Sequence, residues 1–151
     1  MKLLIQRVKS AELYIDKKIY SRINSGILCY LGISQYDNNP KIDEIMIQKL
    51  LSQRIFEDNE GKMNLSIENI KGDLMIVSNF TLYGDGKKGT RPSYTEAAKP
   101  DIARAIYERF MLKLRSSTIL NVQGGQFQAM MEVHSINDGP VNLIIQKEIG
   151  N

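Results

Sequence analysis

The spacing of apolar residues changes along the chain. Leu3 and Ile5, then Leu13, Ile15 and Ile19, alternate with polar neighbours, the period of half-buried antiparallel strands. After Gly26 an apolar run extends to Ile33 and predicts a central strand. Ile42, Ile45, Met46 and Leu50 then fall at helical spacing, with Asn39 as the expected N-cap, Pro40 as the first helical residue, and Asp43 and Glu44 in the first turn. That helix is expected to end near Arg54, before a turn at Asp58-Asn59-Glu60-Gly61. Asp73 to Phe80 is a strong strand pattern. Ser93-Tyr94-Thr95-Glu96 has capping-box spacing. From Pro100 a second helix carries Ile102, Ile106, Phe110 and Leu114 on one stripe and Arg104, Arg109, Lys113 and Arg115 on another face. Leu120 to Val122, Ala129 to His134 and Val141 to Ile145 close the chain as strands. This order predicts an α+β fold: a mainly antiparallel sheet or barrel-like core with two main helices, residues 1–151 forming a single domain.

Composition agrees. Apolar residues make up 42% and charged residues 25%, a globular balance. The lone cysteine, Cys29, lies in the apolar run, where it reads as a buried thiol; it excludes an intrachain disulfide and fits a reducing compartment. The N-terminus MKLLIQR is too short for a signal peptide and no run reaches the length of a membrane span, so a cytoplasmic location and no membrane partner are expected. The net charge of +3 is uneven: residues 84–118 carry eight Lys/Arg against four Asp/Glu. Such a patch suits either a polyanion or a solvated helix face.

The most conspicuous motif is Gly84-Asp85-Gly86-Lys87-Lys88-Gly89, which spells G-x-G-x-x-G. A dinucleotide fingerprint must close a strand and open a helix at once. Here Pro92 follows too soon, biasing Arg91 away from helix, and no βαβ unit surrounds it. The P-loop ending G-K-[ST] is missing as well. The loop reads instead as a surface loop offering Lys87, Lys88 and Arg91 to phosphates. The single histidine, His134, falls in a strand pattern and reads as structural; there is no G-x-S-x-G elbow and no His/Cys cluster at metal spacing, so no metal or cofactor is expected. Ser78-Asn79-Phe80-Thr81 places polar groups where a buried strand ends. They are either bonded into the fold or presented to a ligand.

Five segments, in order, resemble one family. Ile5-Gln6-Arg7-Val8, Arg54 to Asp58 with Gly61 to Asn64, Val77 to Asp85 (the family's S-Q-F-T-L-Y-G-D), Gly89 to Ser93 with Ala97-Ala98, and Asn137 to Val141 (its N-x-G-P-V) are similar to segments of the D-aminoacyl-tRNA deacylases over nearly the whole chain. The resemblance implies hydrolysis of the ester between a D-amino acid, or glycine, and the terminal ribose of tRNA. It implies a homodimer with active sites at the interface, and a cis Gly139-Pro140 bond that reaches into the other subunit's pocket and excludes L side chains, with Arg7 holding its orientation. Ser78, Asn79, Phe80 and Thr81 are expected to line the reacting carbonyl. Thr81 is a candidate nucleophile, but with no histidine base its hydroxyl is unactivated; the favoured expectation is that backbone N–H groups around Phe80 and Thr81 stabilise the oxyanion and the substrate's 2′-hydroxyl helps to activate water, while the Thr81 and Ser78 hydroxyls orient and support. Lys87, Lys88 and Arg91 are expected near the tRNA 3′ end, extended by Arg104, Arg109, Lys113 and Arg115.

The chain departs from the family pattern at Asn79, where Gln is usual, at Asn142 in place of Thr, and at Gln128 in place of a glycine. Two other readings stay open: a catalytically weak or inactive relative that binds tRNA or another nucleic acid without hydrolysis, and a small-molecule binder that uses the basic loop.

Overall fold

The computed structural model describes residues 1–148. The long first strand β1 (Lys2–Ile15) turns through Asp16 and Lys17, both at positive φ, into β2 (Lys18–Ile23), and β3 (Gly26–Gly32) follows. Helix α1 (Lys41–Ser52) leads to a small hairpin, β4 (Phe56–Glu57) and β5 (Met63–Leu65). A one-turn helix α2 (Ile67–Ile70), closed by a Ser66/Asn69 capping box, precedes β6 (Asp73–Ser78). A 3-10 turn (Phe80–Tyr83) follows, then α3 (Pro100–Ser117), β7 (Val122–Gly124) and β8 (Glu132–Gln146).

The main sheet runs β2-β1-β3-β6-β7, with β8 on β1, and wraps into a nearly closed barrel. The α+β expectation holds, and β1 pairs antiparallel with β2, β3 and β8. The β3–β6 and β6–β7 pairs are parallel, however. Strands buried on both faces read as unbroken apolar runs, a signal of burial and not of direction. The Ile27–Leu31 and Leu74–Val77 runs are such strands, buried throughout except for half-buried Tyr30. One core cluster packs α1 and α3 onto a face of the sheet through Met46, Leu50, Phe110 and Leu114; the other gathers Val8, Leu13, Leu28, Met75 and Val77.

Several local expectations shift. Pro40, not Asn39, occupies the N-cap of α1, though the Asn39 side chain still accepts the Lys41 N–H at 3.1 Å. Ser93 to Glu96 caps no helix; Ser93 exchanges backbone hydrogen bonds with Asp85, and Tyr94 begins a turn closed by Ala97 N–H. The strand expected over 73–80 stops at Ser78, and that expected from Ala129 starts at Glu132. On α3 the buried stripe includes Ala103, Tyr107 and Met111, while Ile102 is 40% exposed. Two of its cations serve the fold: Arg109 pairs with the fully buried Asp43, and Lys113 bonds Glu44 and the Pro40 carbonyl. No helix among the described residues is long and apolar enough to cross a membrane.

Candidate active site

The parallel strands β3 and β6 end side by side, and the chain breaks there. Asn79 N–H still donates to Leu31 O at 2.8 Å, the last rung of the ladder. The Asn79 side chain then caps the 3-10 turn: its Oδ1 accepts from Thr81 N–H at 3.0 Å and from the Thr81 hydroxyl. Helix-type turns leave their first N–H groups without intrahelical partners. Thr81 N–H is satisfied by Asn79, whereas Phe80 N–H has no partner among the described residues. The Phe80 ring is 58% exposed and meets Tyr94 edge-on at 5.1 Å.

A cleft of about 780 Å³ opens at this strand end. Ser78, Asn79, Phe80 and Thr81 form one side; Tyr94, Ala97, Ala98 and Ala103 form another; Phe127 to Met131 close it. The small alanines leave room, and the walls are mostly apolar, as in small-molecule sites. Among the described residues lining the cleft there is no Asp, Glu, His, Cys or Lys. Tyr30 also lines it, and burial raises its phenol pKa, so it stays neutral. His134 lies elsewhere, on β8 against the Tyr14 ring, and burial pushes the Cys29 thiol up into an inert, protonated state.

The wall at 124–129 is pinned from behind. The Tyr107 hydroxyl donates to Ile76 O at 3.0 Å, and Gly125 N–H reaches the same carbonyl at 3.2 Å. Burial drives the Tyr107 pKa up to about 12. A turn from Gln126 to Ala129 follows, with Gln128 at φ +64. A side chain in that left-handed region is disfavoured by about 1–2 kcal/mol relative to the right-handed one. Gln128 thus makes the turn although it stands in place of a glycine, and its Oε1 accepts from Arg104 at 2.8 Å. Neither periodicity nor residue type signals Tyr94, Phe127, Met130 or Met131 as lining residues.

The second expected element stands apart. In the β1–β8 ladder Gln6 pairs with Asn142 and Val8 with Asn137, so Asp138 to Val141 loop out opposite Arg7 alone. Gly139 has φ +116, and the Gly139-Pro140 bond is cis. Arg7, only 6% exposed, donates to Ile55 O at 2.7 Å and lies 3.2 Å from Asp138 Oδ2. Asn137 Nδ2 donates to Arg7 O at 3.0 Å. Within one chain, neither Gly139, Pro140 nor Arg7 lines the cleft that holds Ser78 to Thr81. The glycine loop is exposed; the Asp85–Ser93 bridge closes its base, and Lys87, Lys88 and Arg91 form no ion pair among the described residues.

The family model described as D-Tyr-tRNA(Tyr) deacylase matches residues 4–146. A D-aminoacyl-tRNA deacylase of Thermosipho melanesiensis is 45% identical, with 98% of each chain covered, and one of Fusobacterium nucleatum is 46% identical over 100% of this chain and 99% of its own. A solved structure described as a c-Myc DNA unwinding element binding protein superposes with a TM-score of 0.93 at 34% identity, covering 99% of this chain and 100% of the other. A probable eukaryotic D-amino acid tRNA deacylase shares the fold at a TM-score of 0.81 and 18% identity, with 95% and 97% covered. Full-length similarity at this level, on top of the five shared segments, places the chain in the D-Tyr-tRNA(Tyr) deacylase family.

Proposed function

We propose that this protein is a D-aminoacyl-tRNA deacylase, hydrolysing the ester that joins a D-amino acid or glycine to the terminal ribose of tRNA in the cytoplasm. The observation that carries the reading is the cleft at the end of β6: an apolar pocket lined by Phe80, whose N–H has no partner among the described residues, with no carboxylate, histidine or lysine in its described lining. Phe80 N–H donates to the carbonyl oxygen as negative charge develops there, and such stabilisation commonly contributes more to the rate than any other effect in an acyl-transfer site. Water adds to the carbonyl carbon, the bond to the ribose oxygen breaks, and that oxygen takes a proton from the attacking water, with the neighbouring ribose hydroxyl as relay. The Thr81 hydroxyl donates to Asn79 Oδ1, which is no base, so Thr81 is an orienting group and not a nucleophile. Ser78 supports the same edge.

Gly139 and Pro140 act in the cleft of a second copy, in a homodimer with its sites at the interface. Arg7 holds the turn from behind. The turn's backbone occupies the space an L side chain needs and leaves room for a D side chain or a hydrogen, so selection is by exclusion and glycine is accepted. Lys87, Lys88 and Arg91 meet phosphates of the tRNA end, and binding weakens with salt. The test is release of amino acid from matched D-, L- and glycyl-tRNA by the purified protein. Release of D and glycine but not L is expected. Retained tRNA binding without release from any of them would leave the nucleic-acid-binding reading, which the name of the DNA unwinding element binding neighbour keeps in view.

A further inference from the structure

We infer that Gln128 is a substrate-binding residue of the cleft, held by Arg104 so that its amide N–H groups donate to an acceptor on the terminal nucleoside of the tRNA. This rests on the deacylase reading and adds to it a contact on the wall at 127–131.

Three observations converge. Gln128 sits at the third position of a four-residue turn closed by Ala129 N–H to Gln126 O at 3.1 Å, with φ +64. Glycine or asparagine is favoured at such a position, and a longer side chain persists there only when its surroundings hold it. Residues held in this way cluster at functional sites. The surroundings do hold the turn, through the bonds of Gly125 and Tyr107 to Ile76 O.

The orientation of the amide is dictated next. A guanidinium only donates, so the Gln128 atom 2.8 Å from Arg104 Nη2 must be its oxygen. The amide NH2 therefore points away from Arg104, with both N–H groups unpartnered among the described residues. Arg104 is itself fixed, its guanidinium 4.9 Å from the centre of the Phe127 ring.

Charge then chooses the side of the substrate. Arg104 has no carboxylate partner among the described residues, so the exposed rim beside Gln128 carries an uncompensated positive charge. That rim suits the phosphate-bearing nucleoside, not the ammonium of the aminoacyl group. Nucleoside ring nitrogens and ribose oxygens are acceptors that an amide NH2 can meet.

The test uses adenosine 5′-monophosphate as a probe of the terminal nucleotide, titrated calorimetrically into the full-length protein, alongside steady-state deacylation of D-tyrosyl-tRNA. Gln128→Gly relieves the left-handed φ, so it should fold at least as stably as the parent, yet its Kd for the nucleotide should rise about three- to tenfold. The loss in deacylation should fall in KM and not in kcat. Gln128→Glu keeps an oxygen for Arg104 but has no N–H to give, and should lose at least as much. Arg104→Met should lose affinity both through its own charge and through Gln128, so its loss should be smaller in the Gln128→Gly background than in the parent. Unchanged or tighter nucleotide binding by Gln128→Gly overturns the inference, as does a loss carried by kcat alone. Gln128-dependent nucleotide binding without ester release would sink the deacylase reading and leave the Gln128 assignment standing; release with Gln128-independent binding would do the reverse.

Discussion

Ser78 to Thr81 and Asp138 to Val141 both interrupt a strand, but they are held in different ways. The first lies where two buried parallel strands end, with Asn79 bonded to Leu31 O on one side and to Thr81 on the other. The second bulges out of β8, which among the described residues pairs with β1 alone, and is held chiefly by Arg7 and the Asn137 side chain. A reacting group needs the first kind of support, because its N–H must be in place before charge develops. A group that only excludes needs the second: a stiff backbone on a surface another chain can reach. The two do not meet within one chain, and the proposed dimer supplies what each lacks.

The largest effect should come from Phe80→Pro. Residues of a 3-10 turn have φ near −60°, proline tolerates the first position of a turn, and Asn79 before it is already extended at φ −147 and ψ 97, so the fold should accept the change. The N–H is lost, and kcat on D-aminoacyl-tRNA should fall about 10²–10³-fold with the melting temperature nearly unchanged. A small loss would move the oxyanion site elsewhere.

Gly139→Ala should act next. Its Cβ would lie 2.8 Å from Val141 Cγ2 and 3.1 Å from Arg7 Nη2, at a φ that L residues rarely adopt. The turn must shift, and the preference for D- over L-aminoacyl-tRNA should fall by about a hundredfold, measured as the ratio of kcat/KM values. Arg7→Met tests the same turn from behind. It leaves Ile55 O and Asp138 without their partner, which should cost about 3 kcal/mol in denaturant unfolding and weaken the same preference about tenfold. On the cleft side, Asn79→Ala removes the acceptor for Thr81 N–H and should cost about 1 kcal/mol, with D-over-L preference intact. If that preference falls as far as in Gly139→Ala, the division between the two regions is wrong. The smallest effect concerns pH: with no carboxylate, histidine or lysine in the described lining, the only inflection in kcat between about pH 6 and about pH 8 should be that of the substrate's own α-ammonium, absent with an N-acetylated aminoacyl-tRNA.

The sequence carried the α+β order, both long helices and the buried strands, because amphipathic and fully apolar runs are local signals. It did not carry which strands pair in parallel, since register and direction depend on partners distant in sequence. The polar end of β6 stood out at Ser78 to Thr81, but the Asn79 cap that takes up Thr81 N–H depends on side-chain rotamers that no pattern reveals. Arg109 and Lys113 looked like part of a basic face and are bound to α1 instead; charge alone does not say which cations find partners. The opposite wall was hidden for another reason. Phe127 and Met131 flank a turn that breaks periodicity, and Gln128, which stood out as a departure from glycine, takes a φ that runs against its residue type.

In the proposed dimer one chain's cleft works with another chain's turn. Phe80→Pro and Gly139→Ala proteins should therefore be mixed under conditions that exchange subunits, and hydrolysis of D- and L-aminoacyl-tRNA measured before and after. The Gly139→Ala protein alone should accept L substrates, and the Phe80→Pro protein should be nearly inactive. In a hybrid dimer the working cleft comes from the first and the intact turn from the second. Adding the inactive protein should thus restore rejection of L-aminoacyl-tRNA while D-aminoacyl-tRNA is still cleaved. An L-to-D ratio that stays unchanged in demonstrated hybrids would mean that each turn does not act in the other chain's cleft.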